Sequence, residues 1–410
     1  MEDKKRPLPK WYDDAKLGIF IHWGIYSVPA FAPNTGELGV IQPDEYWFSH
    51  NPYAEWYKNS YMVGHGPTYE HHKEVYGDKK YEEFAEDFTC ENFDPDAWMD
   101  LIKRSHARYF VLTTKHHDGY CLWDSATTEF KATGVGPHRD LVKELCAAAD
   151  RKGIRRGLYY SGLLDWSYEY VPARNNDEAF KPANDTPAYA KIARKQIEEI
   201  IDTYKPDVLW NDMGWPTYGL DELPDIIAHY YDVVPHGVIN DRWTLPIHDY
   251  TTHEYQYGVM SLTEKWEQQR GLGYSFGYNA YEDPKCVMSS DELIKLLVST
   301  VAQNGNLLLN IGPKKDGTIS DIQMERLNDL GAWLDINGEA IFDTRPCEPV
   351  CRESEDGTIW YTQNDEYEYH LYTGYTREFD LEDGLEPLDE RLEKHVIPNS
   401  ICMAFKKRKS

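Results

Sequence analysis

Short apolar or β-branched runs alternate with amphipathic stretches along most of the chain. The first run, Leu17-Gly18-Ile19-Phe20-Ile21, leads into His22-Trp23-Gly24. Residues 109–113 (YFVLT) lead into Lys115-His116-His117-Asp118-Gly119, and residues 156–160 (RGLYY) end in Ser161-Gly162. Val208-Leu209-Trp210 ends in Asn211-Asp212 and breaks at Gly214 and Pro216. Weaker runs end at Asn240-Asp241-Arg242-Trp243, at His253-Glu254-Tyr255 and at Ser275-Phe276-Gly277-Tyr278-Asn279. The last run, residues 306–309, ends in Asn310-Ile311-Gly312-Pro313. Short apolar runs bounded by turn residues predict strands buried on both faces.

Helical spacing fills the gaps, over residues 96–105, 139–151, 188–204 and 221–233. Asp94-Pro95 and Thr186-Pro187 each supply an N-cap followed by proline at the first helical position. Ser289-x-x-Glu292 and Ser320-x-x-Gln323 match the capping box. A last helix carries Leu327, Leu330 and Leu334 on one face and stops near Gly338. Strand–helix alternation implies parallel strands joined by crossover helices. About eight strands over some 330 residues predict an α/β fold of the (β/α)8 TIM-barrel type. The alternative, a doubly wound open sheet, lacks the glycine-rich phosphate loop that usually accompanies it. Residues 33–81 form a long insertion after the first strand, rich in Tyr and His, of a size that shapes an active site or an oligomer contact. After about residue 343 the pattern becomes antiparallel. Residues 358–362 and 367–372 are strand-like, with Asn364-Asp365 as turn chemistry. The expected division is a barrel over 1–343 and a small β-sandwich-like domain over 344–410.

The strand ends carry the chemistry. His22, His116, His117, Tyr159, Asp212, Arg242, Glu254 and Phe276 come from separate segments, each at or just past a predicted strand's C-terminal end. A parallel barrel gathers those ends on one face, where barrel active sites sit. Taken singly, each has a plainer reading. Asp212 is a turn former, Glu254 an exposed charge, Arg242 a solvated charge, and Trp56, Trp210 and Phe276 are core rings. Adjacent histidines on a strand point to opposite faces, so His116 and His117 reach one ligand only if the backbone turns there. As a set, two carboxyls across a barrel mouth fit general acid and nucleophile.

Composition narrows the class. The 410 residues carry 43 basic and 70 acidic side chains, a net charge of −27, which repels phosphate backbones and argues against nucleic acid. The one basic run, Lys406-Lys407-Arg408-Lys409, reads as a solvated tail. Aromatic residues make up 14%, a content that suits sugar-binding clefts. Seven scattered cysteines, no CxxC, no apolar leader and no run long enough for a membrane span predict a reduced, cytoplasmic chain.

The ordered set LGIFIHWGIYSVP, NPYAEWY, TTKHHDGYCLWDS, LYYSGLLDW, LWNDMGWP, NDRW, KWE and SFGYN spans about residues 11–340. It resembles the α-L-fucosidases of glycoside hydrolase family 29, bacterial type. The resemblance implies a barrel followed by a β-sandwich. It also implies hydrolysis of terminal α-L-fucose from fucosylated glycans with retention, through a covalent fucosyl-enzyme intermediate, without metal or other cofactor. It makes Asp212 the nucleophile and Glu254 the general acid/base, with Glu267 of KWE as the alternative. It places His22, Glu55, Trp56, His116, His117, Tyr159, Trp210, Arg242 and Phe276 around the sugar. A metal-dependent hydrolase, suggested by 15 His, and a catalytically dead sugar-binding barrel are the competing readings. Oligomeric state is left open. Two features depart from the family: the C-terminal module is short, and many relatives are secreted.

Overall fold

A computed structural model describes residues 6–40, 44–256, 261–398 and 401–409. Its core is a curled sheet of eight strands: β1 (Leu17–Ile21), β2 (Tyr109–Lys115), β3 (Arg155–Ser161), β4 (Val208–Asp212), β5 (Val238–Ile239), β6 (Thr251–Glu254), β7 (Trp266–Gly271) and β8 (Gly305–Ile311). The order is β5-β4-β3-β2-β1-β8-β7-β6, and every neighbouring pair is parallel. This is the expected (β/α)8-like barrel.

Alternation along each strand divides two cores. Phe20, Val111, Tyr159, Val208, Trp210 and Leu308 pack inside the barrel. Ile19, Ile21, Phe110, Leu112, Leu158, Leu209 and Leu309 pack outward against the helices. Gly18 lies against the inward ring of Tyr109, where a Cβ would come within 2.4 Å of Cζ.

Between β5 and β6 no backbone ladder forms among the described residues. One backbone bond, from Asp249 N to Ile239 O at 3.0 Å, and side-chain bonds close the ring instead. Asp249 Oδ2 accepts from Ile239 N at 2.8 Å, and Asp241 Oδ1 accepts from Thr252 N at 3.1 Å and its hydroxyl at 2.7 Å. This seam flanks Arg242 and Glu254.

The longer helices run over Pro95–Arg104, Leu141–Lys152, Pro187–Tyr204, Leu223–Val233, Ser290–Ala302 and Asp321–Asn337. Asp94 and Thr186 cap as expected, accepting from Ala97 N and Tyr189 N. The Ser289–Glu292 capping box forms in full, whereas the Ser320 side chain makes no cap bond.

Two expectations need correction. The seventh strand was expected to end near Ser275–Asn279. It is instead WEQQRG, a polar stretch buried throughout, and residues 275–279 form a loop beyond it. The basic run is also part of a strand rather than a loose tail: Met403–Arg408 pairs with Tyr367–Thr373 and Lys406 reaches Glu339, while Lys407, Arg408 and Lys409 are exposed as expected.

Both strands belong to a five-stranded antiparallel sheet that includes Arg345–Ser354, Gly357–Gln363 and Glu386–Pro387. A further pair, Phe379–Asp380 with His395–Val396, adds a second small sheet. Ile359, Tyr372, Phe405 and Val396 form the shared core. The Asn364 side chain accepts from Glu366 N and Tyr367 N, as its turn role requires. Among the described residues no helix is long and apolar enough to cross a membrane.

Candidate active site

The C-terminal strand ends open into a cavity of about 690 Å³. Every site residue named from the sequence lines it, except Glu267. At its centre Arg242 engages all three guanidinium nitrogens. Nη1 donates to Asp212 Oδ1 at 2.8 Å, Nη2 to Glu254 Oε2 at 3.1 Å, and Nε to Thr252 Oγ1 at 3.1 Å. One cation therefore bridges the two carboxyls across the β5–β6 seam.

Asp212 closes β4, and the chain turns sharply behind it through left-handed Met213 (φ 59°) and Gly214 (φ 84°). A Cβ at Gly214 would meet Thr244 Oγ1 at 2.6 Å, so glycine is required there. Asn211 ties the turn to the next loop, donating to Gly214 O and Arg242 O. Asp212 Oδ1 also accepts from Met213 N at 2.9 Å, and Oδ2 accepts from Tyr159 OH at 2.8 Å. Burial pushes its pKa up, but the charge of Arg242 and the hydrogen bonds from Arg242 and Tyr159 outweigh burial and hold the carboxyl below its usual range. Glu254 has a second partner, Tyr53 OH, donating to Oε1 at 2.8 Å.

The two histidines after β2 both reach the cavity, because the strand ends at Lys115 and the backbone turns. Their rings lie 3.9 Å apart, and His116 stacks on Tyr159. Burial lowers the pKa of His116 well below its usual value, that of His22 to about 3 and that of His117 to about 4, so all three are neutral. Hydrogen bonds fix two tautomers. Ser161 gives its hydroxyl proton to Leu164 O, so His117 Nδ1 donates to Ser161 Oγ and its Nε2 is a bare acceptor 3.8 Å from Asp212 Oδ2. Asn310 donates through Nδ2 to Phe276 O, so its Oδ1 accepts from His22 Nδ1 and leaves His22 Nε2 bare. The cavity thus offers lone pairs to hydroxyl donors.

Glu55 is buried, accepts from Gly277 N at 2.7 Å, and has its pKa pushed by burial to about 8. Trp56, Phe276 and Trp210 supply apolar walls. Trp210 is also a core ring, stacked on Tyr159, with Arg242 over its face at 5.0 Å.

Glu267 sits beneath this floor. It is fully buried on β7 and accepts from Tyr109 OH at 2.6 Å, Tyr12 OH at 2.8 Å and Trp210 Nε1 at 3.0 Å. It pins the inner layer and lies outside the cavity lining.

Sequence reasoning missed Tyr53, Trp47, Phe48, Gln269 and the wall of Leu163, Asn176, Ala179 and Phe180. Tyr53 stands two residues before Glu55 in NPYAEWY, so that motif could have flagged it. Leu163 falls within LYYSGLLDW, and the others carry no pattern of their own. Among the described residues no group of three or more His, Cys, Asp or Glu side chains is arranged to hold a metal ion.

A family model described as Alpha-L-fucosidase matches residues 1–339. The chain is 36% identical over 374 residues to an alpha-L-fucosidase of Dictyostelium discoideum, covering 88% of this chain and 76% of the relative. It is 35% identical over 390 residues to human tissue alpha-L-fucosidase, covering 90% and 76%. The crystal structure of Thermotoga maritima alpha-fucosidase in complex with fucose superposes with a TM-score of 0.86 at 41% identity, covering 98% of this chain and 97% of that one. Its complex with a mechanism-based inhibitor gives 0.89 at the same identity, covering 98% and 97%. On the extent of these matches and on its barrel architecture, the chain belongs to the α-L-fucosidase family of glycoside hydrolases.

Proposed function

We propose that the protein is an exo-acting, retaining α-L-fucosidase that releases terminal α-L-fucose from fucosylated glycans by double displacement. Asp212 attacks the anomeric carbon while Glu254 gives its proton to the leaving oxygen. Glu254 then takes a proton from water, whose oxygen attacks the same carbon and frees Asp212. The observation that carries this reading is Arg242, which joins both carboxyls in one cavity and favours the ionised form of Asp212.

The surroundings fit a single sugar. Bare imidazole nitrogens of His22 and His117 accept hydroxyl protons, and Trp56, Trp210 and Phe276 cover apolar faces. A floor closed by Trp210 and Glu267 suits a terminal residue held in a pocket. Glu254 is preferred over Glu267 as acid/base because Glu267 has three buried partners and does not line the cavity. A reducing, cytoplasmic setting fits the seven unpaired cysteines.

The test is a pair of variants with an aryl α-L-fucoside. Asp212→Gly should abolish turnover in a folded protein. Glu254→Ala should slow poor leaving groups far more than activated ones, and azide should rescue it. NMR of the first sugar released should show the α anomer. The β anomer appearing first overturns retention, and azide rescue of Glu267→Ala instead moves the acid/base.

A further inference from the structure

The proposed chemistry leaves Gln269 without a task. It is 1% exposed, and neither Oε1 nor Nε2 has a hydrogen-bond partner. Among the described residues it is the one side chain with two buried polar atoms left unpaired. A buried amide is costly when unpaired, and such exceptions call for a reason.

Strand parity places the amide. Glu267 points into the barrel interior, where it meets Tyr12, Tyr109 and Trp210. Gln269 lies two residues on along β7 and faces the same way, one layer nearer the C-terminal end. It is in register with Glu254 on β6 and with Leu308 on β8, and it lines the cavity.

Asp212, Glu254, His22 Nε2 and His117 Nε2 all accept, and each guanidinium nitrogen of Arg242 already donates to a protein partner. A sugar's hydroxyl oxygens also carry lone pairs that need donors. Gln269 Nε2 supplies one, and Oε1 accepts a neighbouring hydroxyl proton.

We infer that Gln269 is a substrate-binding residue whose amide, on the cavity wall beside Glu254, hydrogen-bonds hydroxyl groups of the bound sugar. The inference rests on the reading of this cavity as the fucose site.

Gln269→Met keeps the side-chain length and removes both polar atoms. Inhibition of wild type by free L-fucose first checks the fucose-site reading; no inhibition overturns that reading. In Gln269→Met the inhibition constant for L-fucose should rise about tenfold or more. Its melting temperature should stay level or rise, because two orphaned groups are gone. Across a panel of monodeoxy aryl α-L-fucosides, the loss in kcat/KM should shrink for the analogue lacking the partner hydroxyl. If Gln269→Met does not fold, Gln269→Glu, which keeps the acceptor and removes the donor, carries the same comparison. Fucose binding within twofold of wild type, or an equal loss across the whole panel, overturns the inference.

Discussion

Arg242→Met removes the bridging charge and keeps most of the side-chain volume. Asp212 then keeps its hydrogen bonds from Tyr159 and Met213 N but loses the guanidinium bonded to Oδ1 at 2.8 Å. Two unit charges with centres about 4 Å apart interact by about 4 kcal/mol at an effective dielectric of ~20. That bounds the effect at about 3 pH units, and carboxylates beside arginine commonly move by about 1–3. The sign follows from the direction of the shift. Asp212 is held below its ordinary value, so the nucleophile stays ionised until the pH falls through that lowered value. Without Arg242, burial is uncompensated and the loss of activity begins at higher pH. The assay is kcat/KM for an aryl α-L-fucoside from about pH 2.5 to 9, which reports the free enzyme. The acid limb should move up by about 1–3 units, and Arg242→Lys should move it less. A uniform fall in rate with an unmoved acid limb refutes this reasoning and leaves Arg242 as a positioning group only. The same carboxylate stabilises the fold above its unfolded pKa, and that contribution is lost as pH falls through the folded value.

Glu267→Ala should destabilise the protein by about 3–5 kcal/mol in denaturant unfolding, because the buried donors of Tyr12, Tyr109 and Trp210 lose their acceptor; at a permissive temperature azide should not raise its rate. Phe180 is 58% exposed where it lines the cavity. Phe180→Ala should raise KM for fucosides with bulky aglycones and leave fucosyl fluoride, which has no aglycone ring, unchanged; equal effects on both would detach Phe180 from the leaving group.

How far the molecule could be read in advance depended on the kind of signal. Helices after Asp94 and Thr186 were legible because a cap bond is local: the side chain and the N–H it meets are three residues apart. The Ser320 box has the same letters, yet that side chain forms no cap bond, since letters cannot choose a rotamer. β7 was invisible because Glu267, Gln268, Gln269 and Arg270 look like surface, although each is buried. Their partners Tyr12, Tyr109 and Glu37 lie in distant segments, so nothing nearby in sequence marks the pairing. The cavity's inner half was readable because strand ends converge by topology. The wall at Leu163, Ala179 and Phe180 belongs to the connection after β3, with its short helix Asn176–Ala179, whose path depends on packing, including Asn59 accepting from Ala173 N and Asn184 donating to Leu163 O.

The Arg242 bridge has a consequence for charge through the proposed cycle. In that cycle Asp212 attacks as a carboxylate and Glu254 acts as the acid, so Arg242, bonded to both, has Asp212 as its counterion before the first displacement. In the covalent intermediate Asp212 is an ester and carries no charge, but Glu254 has given its proton away and becomes the counterion. The guanidinium touches both carboxyls throughout, so its partner changes without any side chain having to travel. Each half-reaction is then electroneutral within the enclosed site, and no uncompensated charge has to be sustained away from bulk water.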